Sequence, residues 1–435
     1  MDIMLKEICQ DPVGEQVSVT ENQVFVYRYA NPHLHSFCIC LYLRAGSLFE
    51  TNEQNGISHF FEHVVFKNIN RKYNGELYRI LDRLGLDFNA CTYKEFMQFI
   101  ITGAFEHFEE AANILTSVFE PLRLSAEEIS TERRRIKSEL RESDELHSLD
   151  YFTQQIVWEG TCLGNTIGGT FANLDRIGKH ALIQASSELL SSNNIFFYVT
   201  GCYTEKQIHH LIQRIETFPL RQTVPFRKNL APVPRSFFKR NCHVAVKNGS
   251  YYYVRFSFDV DTSRYTEAEQ SLLFDILFAG ESCKIYQELS EKTGYVYSFN
   301  SHFERYTNLG NLGVDYEVRP ADLYTSMEKV IEICRSMKYD LKDELDFVKP
   351  SYVDNAELML DEAEDFNWTM AYECHILSET YRTVEERKAA YEKVTIERIM
   401  EIAGEIFRMD HLVVTLKAPK DKVDMGRIRG ICELL

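Results

Sequence analysis

Ile57, Phe60, Phe61, Val64 and Val65 recur at i, i+3, i+4, i+7 and i+8, the period of an α-helix with one apolar face. The other face of that stretch carries His59, Glu62, His63 and Phe66, and Asn55-Gly56 just ahead offers a turn and a cap. A second helix is predicted from Ser125, whose spacing to Glu128 is that of a capping box, with Ile129, Ile136 and Leu140 as its buried side. Glu132 and Glu139 lie two turns apart on one face of it.

Short apolar runs at Phe37–Leu43, Ile195–Val199 and Tyr251–Val260 read as strands. Cys38 and Cys40 share one side of the first, where burial accounts for them. Pro219, Pro225, Pro232 and Pro234 fall among basic residues and mark a linker. Beyond it the order begins again, with the strand at Tyr251–Val260, a helical run from Thr266 and a second helix near Ile285 to Lys292. The second half therefore reads as a diverged copy of the first, divided as residues 1–220, a linker at 221–241, and 242–435.

Composition narrows the class without naming a chemistry. In 435 residues, 45% hydrophobic content is enough for more than one sizeable core, and 26% charge is ordinary for a globular chain. A formal net charge of -17 argues against a nucleic-acid surface and gives no support for anionic membranes. No apolar run approaches the length of a membrane span, and Met1–Glu7 lacks the basic and apolar regions of an export signal. The eleven cysteines are an odd number without a Cys-x-x-Cys pair, which favours reduced thiols and a cytoplasmic location. His33 and His35 form a His-x-His pair with no third ligand nearby and read as strand-end polar residues.

The polar face of the first helix changes the picture. His59-Phe60-Phe61-Glu62-His63 is His-x-x-Glu-His, the inverted zinc-peptidase signature. One helical turn separates the two imidazoles, so both can reach one Zn²⁺, and Glu62 beside them can serve as the base that takes a proton from water. The second half has Leu272-Leu273-Phe274-Asp275-Ile276 in its place, so only the first half can hold the metal.

With these residues the chain resembles the pitrilysin, insulin-degrading enzyme and mitochondrial processing peptidase family of zinc peptidases. In that family a glutamate ligand follows the motif after roughly 75 residues, preceded seven positions earlier by another glutamate. The resemblance thereby implies Glu139 as third zinc ligand and Glu132 as the group that orients a ligating histidine. Gly85-Leu86-Asp87-Phe88-Asn89-Ala90-Cys91-Thr92 is similar to the family's Gly-x-x-x-Asn-Ala-x-Thr strand, which implies substrate backbone pairing at Asn89 and Ala90. Leu163 to Thr170 is similar to a glycine-punctuated loop of the family, and Asp354 through Leu416 to its closing helices and last strand.

The implied architecture is α+β, two homologous domains each with a mostly antiparallel or mixed sheet and helices on one face. The implied activity is hydrolysis of short or unfolded peptides inside a closed chamber. One departure stands out. The family pairs an arginine with a tyrosine seven positions on; Tyr297 matches the tyrosine, a catalytic contact to substrate, but Ser290 occupies the arginine position. Lys292 or Arg305 could replace that cation, or a partner could bring it, since short family members work as pairs. The expected partners are thus a peptide substrate and either a second copy or a related subunit supplying Arg and Tyr. Two other readings stay open: a zinc-bearing recognition or structural subunit that needs a partner for activity, and an unrelated protein with a chance motif.

Overall fold

The computed structural model describes residues 14–341 and 343–435. Met1–Glu7 and Cys9 lie outside them. The chain forms two compact units: one comprises residues up to Ser143, Asn165–Asn229 and Glu357–Val384; the other comprises Asp144–Gly164, Leu230–Ala356 and Glu385–Leu435.

The first unit is built on a mixed sheet in the order β1 (Gln16–Val19), β2 (Phe25–Ala30), β6 (Ile195–Gly201), β3 (Ser36–Leu43), β5 (Met97–Ala104) and β4 (Asp87–Thr92). β2 and β6 run parallel and the other neighbours antiparallel. The second unit orders its strands β7 (His243–Asn248), β11 (Leu412–Ala418), β8 (Tyr252–Val260), β10 (Gly310–Val318) and β9 (Phe299–Arg305). Here β7 and β11 are the parallel pair. Strands β7 to β11 therefore repeat β2 to β6 in chain order, neighbour order and direction, so the duplication read from the sequence is a repeat of topology. Both units are α+β.

In β3 the period of two sorts the side chains. Phe37, Ile39, Leu41 and Leu43 join Ile57, Phe60, Phe61, Val64 and Val65 of the helix Ile57–Lys72 in one apolar core. Tyr42, on the opposite face, meets the helix Ala363–Ala371, its hydroxyl donating to Asn367 Oδ1 at 3.1 Å. Asn367 Nδ2 donates to the Tyr198 carbonyl at 2.9 Å, and Thr200 Oγ1 donates to the Ala363 carbonyl at 2.6 Å. A strand covered on both faces needs no polar alternation, which is why Ser36–Leu43 reads as one apolar run.

The second unit receives a segment in return. The helix Leu149–Val157 lies against its sheet, with Thr153 Oγ1 2.6 Å from Thr415 Oγ1 and Asp150 paired with Arg255. Each sheet is thus completed by a helix encoded in the other half of the chain, where the sequence reading draws two uninterrupted stretches. The helix expected near Ile285 to Lys292 is present over Tyr286–Glu291 but wound wider, as a π-helix. Among the described residues no helix is long and apolar enough to cross a membrane, and the ten described cysteines are free thiols.

Candidate metal and catalytic site

The helix Ile57–Lys72 is fixed by its apolar stripe, so its polar face has one orientation available. His59 and His63 leave it one turn apart, their rings 4.8 Å between centroids and nearly perpendicular at 88°. The helix Ala126–Glu142 packs beside it and starts with the expected capping box between Ser125 and Glu128. From this second helix Glu139 divides its carboxylate between the two imidazoles: Oε1 lies 3.5 Å from His59 Nε2 and Oε2 3.6 Å from His63 Nε2. Two turns back, Glu132, only 1% exposed, places Oε2 3.4 Å from His63 Nδ1. Lys67 and Arg135 also reach the Glu132 carboxylate, each at 3.4 Å. Glu62 stands with the histidines, the donor atoms of these three residues lying within 4.8 Å of one another.

These spacings suit a shared cation better than direct hydrogen bonds. A nitrogen-to-carboxylate hydrogen bond closes to about 2.9 Å, whereas 3.5 and 3.6 Å leave room between the groups. Ligands held about 2.0–2.1 Å from a tetrahedral zinc are roughly 3.3–3.4 Å apart. Two imidazoles and one carboxylate are also a zinc donor set, one short of four. The residues present therefore fit a zinc ion, with His59, His63 and Glu139 as the groups able to hold it.

Burial governs the protonation of the cluster. It draws His59 down to about 4, helped by the neighbouring His63, so the His59 ring is neutral and carries a lone pair near neutrality. Burial also lowers His63, but the adjoining Glu139 carboxylate and the charge of Glu62 outweigh it and raise that ring above its ordinary value. Glu139 is held below the usual carboxylate range by the adjoining His63 ring, against the opposing effect of burial. Burial lifts Glu62 above it, opposed by a hydrogen bond from Thr92 and by His63. Glu62 is thus the more basic of the two carboxylates, suited to accepting a proton.

Asn89 and Ala90 lie on β4, which among the described residues pairs with β5 alone and forms the edge of its sheet. Asn89 is exposed, its amide donating to Asp87 Oδ1 at 3.2 Å, and Ala90 packs on the core. The strand's last residue, Thr92, bonds Glu62, so edge and motif helix are joined directly. Tyr297 belongs to the second unit, is 96% exposed and lines an open hollow with Tyr251, Tyr252, Tyr295 and Arg319. Of the cations weighed as substitutes near Ser290, Lys292 is paired with Glu288 at 2.6 Å and Arg305 with Glu267 at 3.2 Å.

Sequence reasoning missed two contributors. Thr92 falls within the strand motif with no role that spacing assigns; only the pleat of β4 shows that its hydroxyl points to Glu62. Glu50 has no sequence signal, yet its carboxylate supplies the acceptor that the N-cap Gly56, lacking a side chain, cannot. Its Oε2 accepts from the Gly56 amide at 2.9 Å and its Oε1 from the Ser58 amide at 2.9 Å. Of the pair Asn55-Gly56 expected as turn and cap, Gly56 is the N-cap position, and Asn55 donates its side-chain amide to Glu50 and to the Thr166 carbonyl.

The fold and the cluster define a chain of two α+β units with a candidate metal cluster in the first. Residues 26–170 match the insulinase domain (peptidase family M16) and residues 177–349 the M16 inactive domain, so the chain belongs to the M16 insulinase family. An uncharacterized zinc protease of Bacillus subtilis (strain 168) is 22% identical over 404 residues, covering 91% of this chain and 96% of that protein. The mitochondrial-processing peptidase subunit beta of Mus musculus is 28% identical over 194 residues, 44% of this chain and 40% of its own. Among solved structures, a protease from Helicobacter pylori superimposes with a TM-score of 0.83 at 16% identity, over 94% of this chain and 100% of that one.

Proposed function

We propose that this chain is a zinc-dependent endopeptidase that cleaves short or unfolded peptides, with maturation of a leader-bearing peptide as one such use. The observation that carries the reading is the convergence of both imidazole Nε2 atoms on the divided carboxylate of Glu139, with Glu62 alongside. Zinc, when bound there, supplies a Lewis acid that polarises the peptide carbonyl and makes water acidic enough to attack near neutral pH.

The protein's own groups do the rest. His59, His63 and Glu139 would hold the ion, and Glu132 fixes the His63 ring by accepting from Nδ1, which would leave Nε2 for the metal. Glu62 takes a proton from the attacking water on its carboxylate and returns it to the leaving amine. The Thr92 hydroxyl holds the carboxylate in place for both transfers. The free edge of β4 at Asn89 and Ala90 receives an extended peptide by main-chain pairing, a mode of binding that tolerates many side chains.

The second unit carries Tyr297 but Ser290 where the family has arginine, and Lys292 and Arg305 are each paired with a glutamate. That arrangement favours work as a pair, either with a second copy or with a related subunit that brings Arg and Tyr. It also supports the second reading, a zinc-bearing recognition subunit that cuts only beside a partner. The test is cleavage of a mixed library of unfolded peptides by the zinc-loaded chain and its Glu62→Gln variant, read by mass spectrometry. Cuts made only by the unaltered chain support the peptidase; stoichiometric zinc without cuts supports the partner-dependent subunit.

A further inference from the structure

The helix that carries the histidine motif begins in an unusual way. Its N-cap, Gly56, adopts a left-handed conformation at φ +93°, has no side chain to offer, and is followed by no acidic residue in the first turn. The free amides are met by Glu50, 9% exposed and seven residues ahead of Ile57. Besides its bonds to the Gly56 and Ser58 amides, its Oε2 accepts from Asn55 Nδ2 at 3.1 Å. Asn55 carries the tie onward, donating to the Thr166 carbonyl at 2.8 Å. Thr166 closes its own loop by donating to the Gly169 carbonyl at 3.0 Å. That loop presses on the start of the helix: a Cβ on Gly56 would fall 2.8 Å from the Gly168 carbonyl oxygen, and one on Gly169 2.5 Å from that of Asn55. Both sites therefore need glycine.

The two histidines are not held alike. His63, on the second turn, has Nδ1 against Glu132. His59 is the third residue of the helix, and its buried Nδ1 has no hydrogen-bond partner. No side chain bonds His59 Nδ1 as Glu132 does that of His63, so the direction of the ring depends on the position of the first turn and on the backbone at Gly168 beside it. The first turn is where a helix frays, and a charged acceptor on its amides is the strongest local restraint available there.

We propose that Glu50 is a positioning residue of the metal site: its carboxylate sets the first helical turn, and through it directs His59 Nε2 toward Glu139. The proposal rests on the zinc reading given above. Glu50 touches neither metal nor substrate and acts only through the backbone, so its loss loosens one ligand of the three and leaves His63 and Glu139 in register.

The experiment uses the full chain and compares wild type, His59→Ala, Glu50→Gln and Glu50→Ala. Zinc affinity is measured by competition with a chromophoric chelator, geometry by the visible absorption of the cobalt(II)-loaded protein, and stability by thermal unfolding of the metal-free form. Glutamine keeps the size of Glu50 but turns an amino group toward a backbone N–H that needs an acceptor. The expected result is zinc binding at least about 10-fold weaker in Glu50→Gln, the low end for loss of a group that orients a ligand, with a changed cobalt spectrum. Glu50→Ala should show the same or more, and if it does not fold, Glu50→Gln decides. Unchanged affinity in Glu50→Gln overturns the proposal, as does weaker binding with an unchanged cobalt spectrum, which would mark a purely structural role. If wild type binds no zinc, or His59→Ala binds it equally well, the zinc reading itself fails and takes the proposal with it.

Discussion

The Thr92 hydroxyl donates to Glu62 Oε2 at 2.5 Å, tying the end of the edge strand to the carboxylate of the histidine motif. This bond lowers the Glu62 pKa against the upward push of burial. Its removal in Thr92→Val should let the pKa rise, so the acidic limb of the kcat/KM profile moves to higher pH. A loss of roughly 10-fold in kcat at neutral pH is expected, the value of one well-placed hydrogen bond of about 1.4 kcal/mol. Rates across pH for the two proteins check it; superimposable profiles would remove Thr92 from the mechanism.

Glu62→Gln should separate binding from chemistry. The variant keeps His59, His63 and Glu139, so zinc should remain stoichiometric while turnover falls by about 10²–10⁴-fold or more, the range for loss of a general base. Metal analysis and peptide cleavage on one preparation provide the check. Full activity would move the base elsewhere.

His63→Ala and Glu139→Gln should each lower zinc content together with rate. The Glu139 substitution is the more telling, because family resemblance implies the residue as a ligand and its place between the two Nε2 atoms is a separate observation. Retention of zinc by both variants after dialysis would put the ion at another site.

Glu132→Gln removes the charge behind His63 but keeps a group of the same shape. Zinc affinity should fall by about 10–100-fold, with a smaller effect on the metal-free protein, because Lys67 and Arg135 are partly exposed and can turn to solvent. A chelator competition reads the first effect and thermal unfolding the second.

Glu95 offers a test of stability. Burial pushes its carboxyl up to about 8, opposed by the Asn229 amide, and its Oε2 has no hydrogen-bond partner. With a folded pKa above the unfolded one, the acid costs nothing below about pH 4.5, where both states are protonated. Stability is then lost as pH rises toward 8 and is constant beyond. Glu95→Gln should therefore unfold at a higher temperature than wild type at pH 8, by a few kcal/mol in equivalent free energy, and the gap should close toward pH 4.5. An equal gap at both pH values would refute the buried-acid account.

What the sequence disclosed depended on how locally each feature is encoded. The stripe from Ile57 to Val65 and the capping box at Ser125 are set by residues within a turn or two, and they stand in the structure as read. Glu139 was visible only through resemblance, because nothing in the residues between the two helices states that they pack together. The cap supplied by Glu50 was hidden for a related reason: the loop between Glu50 and Gly56 folds back on itself, and a glutamate ahead of a glycine turn has no fixed meaning by spacing. The helix Ala363–Ala371 has ordinary amphipathic content, and its polar partners, Tyr42, Tyr198 and Thr200, come from strands more than 160 residues earlier.

That exchange of helices sets a timetable for synthesis. The sheet on which the histidine-motif helix packs is complete in sequence by Gly201, yet the helix that covers the face of Tyr42 leaves the ribosome only after Ala371. Until then one apolar face of the nascent unit is bare, and a chain interrupted in the interval carries every proposed zinc ligand on a half-finished scaffold. Division of this protein at its proline-rich linker should for the same reason give two insoluble fragments, each lacking the helix that the other retains.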